Sequence, residues 1–253
     1  MIVQRLDGKR IAVTGAAGGL GIPLTLLLRE RGAHVLGIDR VCCAGCDESI
    51  VTDLSEDAAL ASLAGRLGSD TPDILVNLAG VMRFGLHEDQ PSDALALCYR
   101  VNLYVPAVLA QAVAAPMRAR GHGQIVNIGS VLGAIPYPWF AAYSSSKAGL
   151  AALSQSLRRE LAGSGVAVTH VSPRAAKTPL NNSQVNRFLD IANMKADEPE
   201  KVAARIVEAI AQRRETVTIG RMERLYAMIN AIAPRLIDAG IAPQIRRARA
   251  EFC

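Results

Sequence analysis

The chain lacks the segments that usually divide or export a protein. No Ser-, Pro- or Gly-rich linker, low-complexity run or internal repeat interrupts its 253 residues, so a single domain is expected. The first ten residues contain no signal-peptide apolar region, which predicts a cytoplasmic protein whose five cysteines remain thiols. The longest uncharged stretch, 121–146, holds two prolines and several glycines and serines. That composition favours a strand followed by a loop over a membrane span.

The chain also lacks the ligands of a metal site. Cys42, Cys43 and Cys46 cluster in the sequence, but they offer three thiols with no obvious fourth ligand and no second Cys-x2-Cys pair. The four histidines are scattered singly. We therefore predict that no metal is bound.

The excess of positive charge is confined to the end of the chain. Residues 201–253 carry 10 Lys and Arg against 5 Asp and Glu, whereas residues 1–200 carry 18 of each. A protein that binds polyanions generally would be basic elsewhere as well, so no nucleic-acid partner is expected.

Short apolar, β-branched runs alternate with longer segments of helical period. This alternation predicts an α/β fold: a single-domain doubly wound parallel sheet, Rossmann-like, of about seven strands with helices on both faces. The predicted strands lie at about 10–14, 33–38, 49–52, 73–78, 123–129, 165–171 and 216–219. The connection between Asp39 and Ser49 is too short for a full crossover helix and is predicted to be a loop.

A glycine-rich turn follows the first predicted strand and precedes a helix that extends to about Arg31. Its sequence is Thr-Gly-x3-Gly-x-Gly over residues 14–21. Glycines in such a turn let the backbone approach a pyrophosphate, whose charge then meets the N-terminus of the helix. The strand before it and the helix after it favour a dinucleotide site over an ordinary tight turn.

Tyr143 and Lys147 are four residues apart and follow Ser130 by thirteen residues or more. On a helix, positions i and i+4 share one face, so the Lys147 ammonium is predicted to lie beside the Tyr143 phenol. A neighbouring positive charge favours the phenolate, so we expect a lowered pKa for Tyr143. A phenol of this kind can exchange a proton with an alcohol or a ketone near neutral pH.

Together these motifs resemble the short-chain dehydrogenase/reductase family over nearly the whole chain. The resemblance is carried by Thr14 to Gly21, Asp39, Asp53-Leu54, Asn77-Leu78-Ala79-Gly80, Asn102, Ser130, Tyr143, Lys147 and Pro173 through Thr178. Three positions depart from the family pattern. Leu78 replaces an Asn, Arg174 replaces the Gly of a Pro-Gly pair, and Ala176 replaces a β-branched residue.

The resemblance implies an active site and a cofactor site. Tyr143 would be the general acid or base, Ser130 would hydrogen-bond the substrate oxygen, and Lys147 would hold the nicotinamide ribose. Asn102 would complete a proton relay through water. The implied cofactor contacts are Gly15, Ala17, Gly18, Gly19, Leu20, Gly21, Asp39, Arg40, Asp53, Leu54, Asn77, Ala79, Gly80, Tyr143, Lys147, Pro173 and Thr178.

The end of the second strand bears on the choice between NAD and NADP. A carboxylate at Asp39 accepts hydrogen bonds from the adenosine ribose and repels a 2′-phosphate. Arg40 favours NADP instead, because its guanidinium can pair with that phosphate. We expect NAD, with NADP as the alternative. Asp53 is expected either to contact the adenine edge or to cap the following helix.

A long helix is predicted over about Asp93 to Arg118, with Pro106 in its middle. Proline has no N–H, so the carbonyl of Asn102 loses its helical partner. That carbonyl would then either bind the relay water that the resemblance implies or mark a plain proline kink.

The substrate side is expected to be apolar. Residues 179–198 correspond to the mobile lid of the family, and Tyr137, Pro138, Trp139 and Phe140 would form an apolar wall unless they are simply packed. Arg174 would either orient a substrate carboxylate or carboxamide or pair with a local acid. These features favour a lipophilic ketone or secondary alcohol.

The C-terminal segment 221–253 is predicted to be a basic amphipathic extension of the catalytic domain, which spans 1–220. Its apolar residues at helical spacing are Met222, Leu225, Met228, Ile229, Ile232, Leu236, Ile237 and Ile241. Such a helix either lies weakly on an anionic membrane surface or packs its apolar stripe on the domain or a sister subunit. We expect packing, and we expect the tail to cover the site entrance.

The sequence thus predicts an NAD(P)-dependent oxidoreductase that interconverts a carbonyl and a secondary alcohol. The alternative is a catalytically idle regulatory or membrane-peripheral protein on the same fold. The presence of Ser130, Tyr143, Lys147 and Asn102 favours catalysis. The resemblance also implies a homodimer or homotetramer formed through the helices at about 93–118 and 142–162.

Overall fold

The computed structural model describes residues 5–252, so Met1 to Gln4 and the fifth cysteine, Cys253, lie outside the described residues. The parallel strands are β1 (Arg10–Thr14), β2 (His34–Asp39), β3 (Glu48–Val51), β4 (Ile74–Asn77), β5 (Gly123–Ile128), β6 (Val166–Ser172) and β7 (Thr216–Thr218). The helices are α1 (Gly21–Glu30), α2 (Asp57–Ser69), α3 (Ser92–Tyr99), α4 (Val105–Ala119), α5 (Ala141–Glu160), α6 (Ser183–Ile191), α7 (Pro199–Ala211), α8 (Arg221–Ile232) and α9 (Pro234–Phe252).

The seven strands form one sheet in the order β3-β2-β1-β4-β5-β6-β7. Strand order therefore reverses between β1 and β4, and the crevice beyond their carboxyl ends is where doubly wound sheets bind ligands. The predicted strands and the loop between β2 and β3 are confirmed to within two residues at each end.

The sheet separates two apolar layers because successive strand residues point to opposite faces. Ile11 and Val13 of β1 pack in the layer that contains Leu24 of α1 and Ile206 of α7. Ala12 packs in the other layer, which includes residues of α2 and α4. Both faces of β1 are fully buried, so the turn that follows it is held on a rigid support.

The helix predicted around Pro106 is one helical run, Ser92–Ala119, but it is not a regular α-helix throughout. Five residues, Arg100–Tyr104, adopt a wider π-helical turn between α3 and α4, and Pro106 lies in the first turn of α4. Pro106 has no N–H to donate to the carbonyl of Asn102, and the helix widens into the π-helical turn directly before it. Pro106 therefore lies in the middle of the helical run, as predicted, and the π-helical turn just before it carries Asn102.

The segment Ser92–Ala119 is long and apolar enough to cross a membrane by length and composition alone. In this fold it is a core element, because Leu109, Val113 and Met117 of α4 are fully buried among residues of the sheet and α2.

Candidate active site

The glycine-rich turn after β1 has the geometry of an anion-binding loop. Gly15 has φ +72°, and a Cβ there would lie 2.8 Å from Cα of Ala79. A larger residue would therefore be strained in conformation and would clash with the backbone beyond β4. Helix α1 begins at Gly21 with no side-chain cap and no acidic residue in its first turn. Its N-terminal dipole and N–H groups are therefore suited to a pyrophosphate.

The turn also makes close contact with the beginning of the predicted lid. A Cβ on Gly19 would lie 2.7 Å from Cδ of Pro179 and 2.9 Å from Cβ of Thr178. The absence of a side chain at Gly19 is thus what allows residues 178–179 to close over the turn.

Asp39 lies at the end of β2, beside the glycine-rich turn. Its carboxylate accepts hydrogen bonds from the backbone N–H of Ala17 at 2.9 Å and of Arg40 at 2.7 Å. The Asp39 side chain and the Arg40 side chain both line the same cavity as the turn. A fixed negative charge therefore stands where the adenosine end of a dinucleotide would lie.

Asp53 follows β3 and shapes the turn that leads into α2. Its Oδ1 atom accepts from the backbone N–H of Ser55 at 2.8 Å and from the Ser55 hydroxyl at 2.7 Å. These hydrogen bonds, the side-chain one first, lower the pKa of Asp53. Helix α2 begins at Asp57 without a side-chain cap, so the expectation that Asp53 caps it is wrong. Asp53 and Leu54 line the cavity, where contact with an adenine edge stays a prediction.

Ser130, Tyr143 and Lys147 meet at the carboxyl end of β5. Ser130 lies two residues beyond the strand, and its hydroxyl accepts from the backbone N–H of Leu132 at 3.2 Å. Tyr143 and Lys147 occupy one face of α5 and are both buried. The Lys147 ammonium lies 5.9 Å from the centroid of the Tyr143 ring and donates to the carbonyl oxygen of Ile128 at 2.9 Å. The predicted juxtaposition is confirmed.

The expected direction of the Tyr143 pKa is wrong. Burial raises the pKa of Tyr143 to about 12, and a hydrogen bond with the Ser130 side chain offsets only part of that rise. Burial also lowers the pKa of Lys147 to about 8. Desolvation disfavours the charged form of either group, and it is the largest cause of both shifts. The phenol is therefore a proton donor at neutral pH.

Asn102 lies behind Lys147, within the π-helical turn, and is fully buried. Its side chain bonds the backbone of Val81 in both directions, accepting from the N–H and donating to the carbonyl at 2.9 Å each. It also donates to the Ser146 hydroxyl at 3.0 Å. Asn102 does not line the cavity, but its Oδ1 atom and the Lys147 ammonium both lie close to Gly80. The amide thus fixes the loop after β4 against the helix that carries the lysine.

Asn77 also lies outside the cavity lining, at the end of β4. Its amide donates to Asn127 Oδ1 at 2.8 Å, and Asn127 in turn donates to the Ser154 hydroxyl at 2.9 Å. The Ser154 hydroxyl is 3.2 Å from Nδ1 of His170. This buried chain of hydrogen bonds joins the ends of β4, β5 and β6 to α5, and it supports the site from beneath.

All other predicted site residues line one cavity of about 590 Å³. They are Gly15, Ala17, Gly18, Gly19, Leu20, Gly21, Asp39, Arg40, Asp53, Leu54, Ala79, Gly80, Ser130, Tyr143, Lys147, Pro173 and Thr178. The cavity extends from the acidic end of β2, past the glycine-rich turn, to the Tyr143 phenol. A dinucleotide would bring its pyrophosphate to the helix terminus and its other end to Tyr143 and Lys147.

Beyond Tyr143 the cavity is apolar, and most residues there were missed by sequence reasoning. The wall consists of Val81, Met82, Leu97, Leu132, Phe140, Val185, Phe188, Leu189 and Met194. The spacing of Val185, Phe188 and Leu189 within the predicted lid is that of one helix face, which could have indicated α6. Of the predicted aromatic wall, Phe140 faces the cavity, whereas Tyr137 and Trp139 pack against Phe188.

Arg174 pairs with local acids. Its guanidinium makes a bidentate pair with Asp197, with Nη2–Oδ1 at 2.6 Å and Nε–Oδ2 at 2.7 Å. It also lies 3.3 Å from Glu223 Oε1. The Asp197 hydrogen bond is the main reason why the pKa of Arg174 is raised. Arg174 therefore joins the end of the lid to the start of α8 and is already neutralised.

The C-terminal helix α9 closes back over α6. Ala248 is fully buried in an apolar cluster with Phe188 and Trp139. Phe252 lies with its ring centroid 4.9 Å from that of Phe84 and 6.2 Å from that of Trp139. The end of the chain therefore backs the apolar wall of the cavity.

Within residues 5–252, no group of three or more His, Cys, Asp or Glu side chains is arranged to hold a metal ion. The thiols of Cys42, Cys43, Cys46 and Cys98 are free.

Comparison with known proteins decides the family. The family described as short chain dehydrogenase matches residues 9–187. The chain belongs to the short-chain dehydrogenase/reductase family. It is 33% identical to cis-4-hydroxycyclohexanecarboxylate dehydrogenase of Sinomonas cyclohexanicum, covering 91% of this chain and 90% of that protein. It is 32% identical to the 3-oxoacyl-acyl-carrier-protein reductase FabG of Vibrio harveyi, covering 81% and 90%.

A solved structure, 4-hydroxyisoleucine dehydrogenase complexed with NADH, is similar in both sequence and fold. It shares 25% identity and a TM-score of 0.73 over 84% of this chain and 96% of that one. As a short-chain dehydrogenase/reductase, this protein is a nicotinamide-dependent oxidoreductase that acts on alcohol or carbonyl groups. The anion-binding turn, Asp39 and the buried Tyr143–Lys147 pair fit such a cofactor.

Proposed function

We propose that this enzyme interconverts a hydrophobic ketone and its secondary alcohol, with Tyr143 exchanging the proton at the substrate oxygen. The observation that carries the proposal is the position of Tyr143. It stands where the polar, glycine-rich half of the cavity meets the apolar half lined by Phe140, Val185 and Phe188. A carbonyl between the two halves would contact the phenol, while its hydrocarbon part would enter the apolar half.

The roles of the side chains follow from their surroundings. Tyr143, neutral at physiological pH, donates its proton to the oxygen of a ketone as charge develops there. The Ser130 hydroxyl stabilises the same oxygen. The Lys147 ammonium, fixed by Ile128, stabilises the phenolate that the transfer leaves behind. The nicotinamide, when bound, supplies or accepts the hydride.

We assign NAD as the preferred cofactor. The Asp39 carboxylate is held in place by the Ala17 and Arg40 N–H groups. Both groups are part of the backbone, and within residues 5–252 Asp39 forms no salt bridge, so these contacts do not neutralise its charge. A 2′-phosphate would meet that charge at close range, whereas the two hydroxyls of an unmodified ribose would donate to it.

The apolar half of the cavity supports a lipophilic substrate. Arg174 is committed to Asp197 and Glu223, so it is not available to a substrate carboxylate. The named substrate of the Sinomonas relative contains a cyclohexane ring and a carboxylate; the ring, but not the carboxylate, matches the apolar half proposed here. The packing of α9 on α6 supports a tail that stabilises this half from behind, since none of residues 221–252 lines the cavity.

A turnover screen tests the proposal. Purified enzyme is assayed with NAD and NADP, and with their reduced forms, against alicyclic ketones, hydroxyacyl compounds, steroids and sugars. Turnover should be fastest with a hydrophobic ketone or alcohol and with the NAD pair. Preference for a sugar would contradict the assignment of the apolar half, and cofactor binding without turnover of any substrate would favour the idle alternative.

We infer a cytoplasmic homodimer or homotetramer from the family membership, with α4 and α5 at the interface. Light scattering of the purified protein tests this inference, because a monomeric mass at micromolar concentration would contradict it.

A further inference from the structure

Helix α8 faces the protein with its polar side. Glu223 reaches inward to Arg174 at 3.3 Å, and the Asn230 amide donates to the carbonyl oxygen of Ala134 at 2.9 Å. Glu223, Ala227 and Asn230 follow at intervals of four and three residues, so they share one face of the helix. The contacts that hold α8 in place are therefore polar, and none of its residues is fully buried.

The opposite face of α8 is apolar and points into solvent. Leu225, Met228 and Ile232 are spaced by three and four residues and are 46%, 56% and 84% exposed. Leu236 at the start of α9 is 66% exposed. This arrangement reverses the usual amphipathic helix, which buries its apolar stripe. The apolar stripe of α8 therefore does not pack on its own domain, which corrects that expectation. We call Leu225, Met228, Ile232 and Leu236 the exposed row, and their exposure indicates that another apolar surface covers them.

Unpaired positive charge accompanies the exposed row. Arg221 and Arg224 lie in the first turn of α8, and Arg235 follows the row in the chain. Helix α9 adds Arg246, Arg247 and Arg249, all exposed. Within the described part of the chain, no carboxylate lies within salt-bridge distance of any of these six arginines. The nearby acids Glu223 and Glu251 are already paired with Arg174 and Arg187.

This charge distribution decides between two occupants of the row. A second copy docked on the same row would bring arginines of both copies together, because a two-fold interface pairs a surface with itself. Asp238 is the only acidic residue of α8 and α9 that is not in an ion pair within residues 5–252. An anionic lipid surface instead offers an apolar phase beneath a layer of negative charge, which matches both features.

We propose that α8 docks the enzyme on an anionic lipid bilayer, inserting Leu225, Met228 and Ile232 at the level of the headgroups while Arg221 and Arg224 bind the phosphates. The docking face is separate from the Tyr143 site, so this proposal does not depend on the proposed reaction. It leaves α9 in place over α6, because α9 faces the protein with Ala248 and Phe252.

Vesicle flotation tests the proposal directly. The full-length enzyme is mixed with vesicles of equal parts phosphatidylglycerol and phosphatidylcholine, or with phosphatidylcholine alone, and the bound fraction is measured after centrifugation. We expect binding to the anionic vesicles that weakens at high salt, and at least about tenfold weaker binding to the neutral ones.

Two variants separate the apolar from the ionic contribution. Leu225→Gln/Met228→Gln/Ile232→Gln should abolish flotation. Arg221→Gln/Arg224→Gln should reduce the partition coefficient about 25-fold, since each surface cation contributes about fivefold.

Matched controls carry the same changes on other exposed surfaces. Ile22→Gln/Leu26→Gln alters exposed apolar residues of α1, and Arg31→Gln/Arg118→Gln removes two exposed charges away from the tail. Both controls should float as the unaltered protein does. Circular dichroism and NADH binding confirm that each variant is folded.

Three results would overturn the proposal. One is equal binding to neutral and anionic vesicles, and another is no binding to either. The third is a fall in oligomer mass for the Leu225→Gln/Met228→Gln/Ile232→Gln variant, which would assign the row to a second copy of the chain. Should that variant fail to fold, the Arg221→Gln/Arg224→Gln variant and the salt dependence still decide the outcome.

Discussion

The ammonium of Lys147 lies 5.9 Å from the centroid of the Tyr143 ring, and both side chains are buried. Burial moves their pKa values apart, to about 8 for Lys147 and about 12 for Tyr143. Below pH 8 the pair therefore consists of a neutral phenol beside a cation. Such a pair is suited to protonate a ketone, because the cation stabilises the phenolate that forms.

The charge of Lys147 should set the pH dependence of ketone reduction. The rate is expected to be constant below pH 8 and to fall above it, as Lys147 loses its proton. Lys147→Arg should move that fall to higher pH because a guanidinium remains charged. Lys147→Met should give a low rate at every pH. A wild-type profile that stays flat from pH 7 to 10 would contradict this role.

Asp39 should determine the preference for NAD. In Asp39→Asn the amide oxygen can still accept from the Ala17 N–H, but the negative charge is gone. We expect the ratio of the NADPH to the NADH dissociation constant to fall roughly tenfold, or about 1.4 kcal/mol, as measured by fluorescence titration. Asp53→Asn, which alters the carboxylate bonded to Ser55, serves as the control. An unchanged ratio in Asp39→Asn would contradict the assignment.

His170 should make the fold sensitive to acid. Burial, and then the charge of Lys147, lowers the pKa of His170 from 6.5 to about 4. Between those values the unfolded chain binds a proton that the folded protein does not, so stability falls as the pH drops from about 6.5 to about 4. The full loss is about 3 kcal/mol.

Urea unfolding at pH 7, 5.5 and 4.5 measures this loss. His170→Gln should be less stable than the unaltered protein at pH 7 but should lose less stability on acidification. His122→Gln changes an exposed imidazole and should retain the full pH dependence. Equal slopes for all three proteins would assign the acid sensitivity to other groups.

The packing of Phe252 should matter for the substrate rather than for the cofactor. Phe252→Ala removes a ring that contacts Phe84 and Trp139 behind the apolar wall. We expect KM for a hydrophobic substrate to rise roughly tenfold while the dissociation constant of NADH is unchanged. Arg249→Ala, an exposed change on the same helix, should have no effect. A shift in NADH binding alone would contradict this account.

Much of the fold and the site could be predicted because both depend on local patterns. Buried parallel strands consist of short β-branched runs, so the sequence predicts the bounds of β1 to β7 to within two residues. The glycine-rich turn and the i, i+4 spacing of Tyr143 and Lys147 are likewise local. The crevice at the reversal of strand order then brings them together.

The remaining features, which are pKa values and side-chain orientations, depend on how deeply each group is buried. Burial cannot be predicted from the local sequence. The lowered pKa expected for Tyr143 from its neighbour Lys147 is reversed by desolvation. Asn77 is the last residue of its strand, as the cavity residue Asp39 is, yet its side chain bonds Asn127 away from the cavity. The apolar stripe of α8 has ordinary helical spacing, and only the contacts of Glu223 and Asn230 reveal that it faces outward.

The most direct test of the proposed chemistry is the single-turnover rate of Tyr143→Phe with NADH and a hydrophobic ketone. Loss of the phenolic proton should slow hydride transfer by about 10²- to 10⁴-fold, while NADH binding stays intact. Tyr137→Phe removes a phenol that bonds Gln244 outside the cavity and should leave the rate unchanged. If Tyr143→Phe transfers hydride within a factor of two of the unaltered enzyme, Tyr143 is not the proton donor.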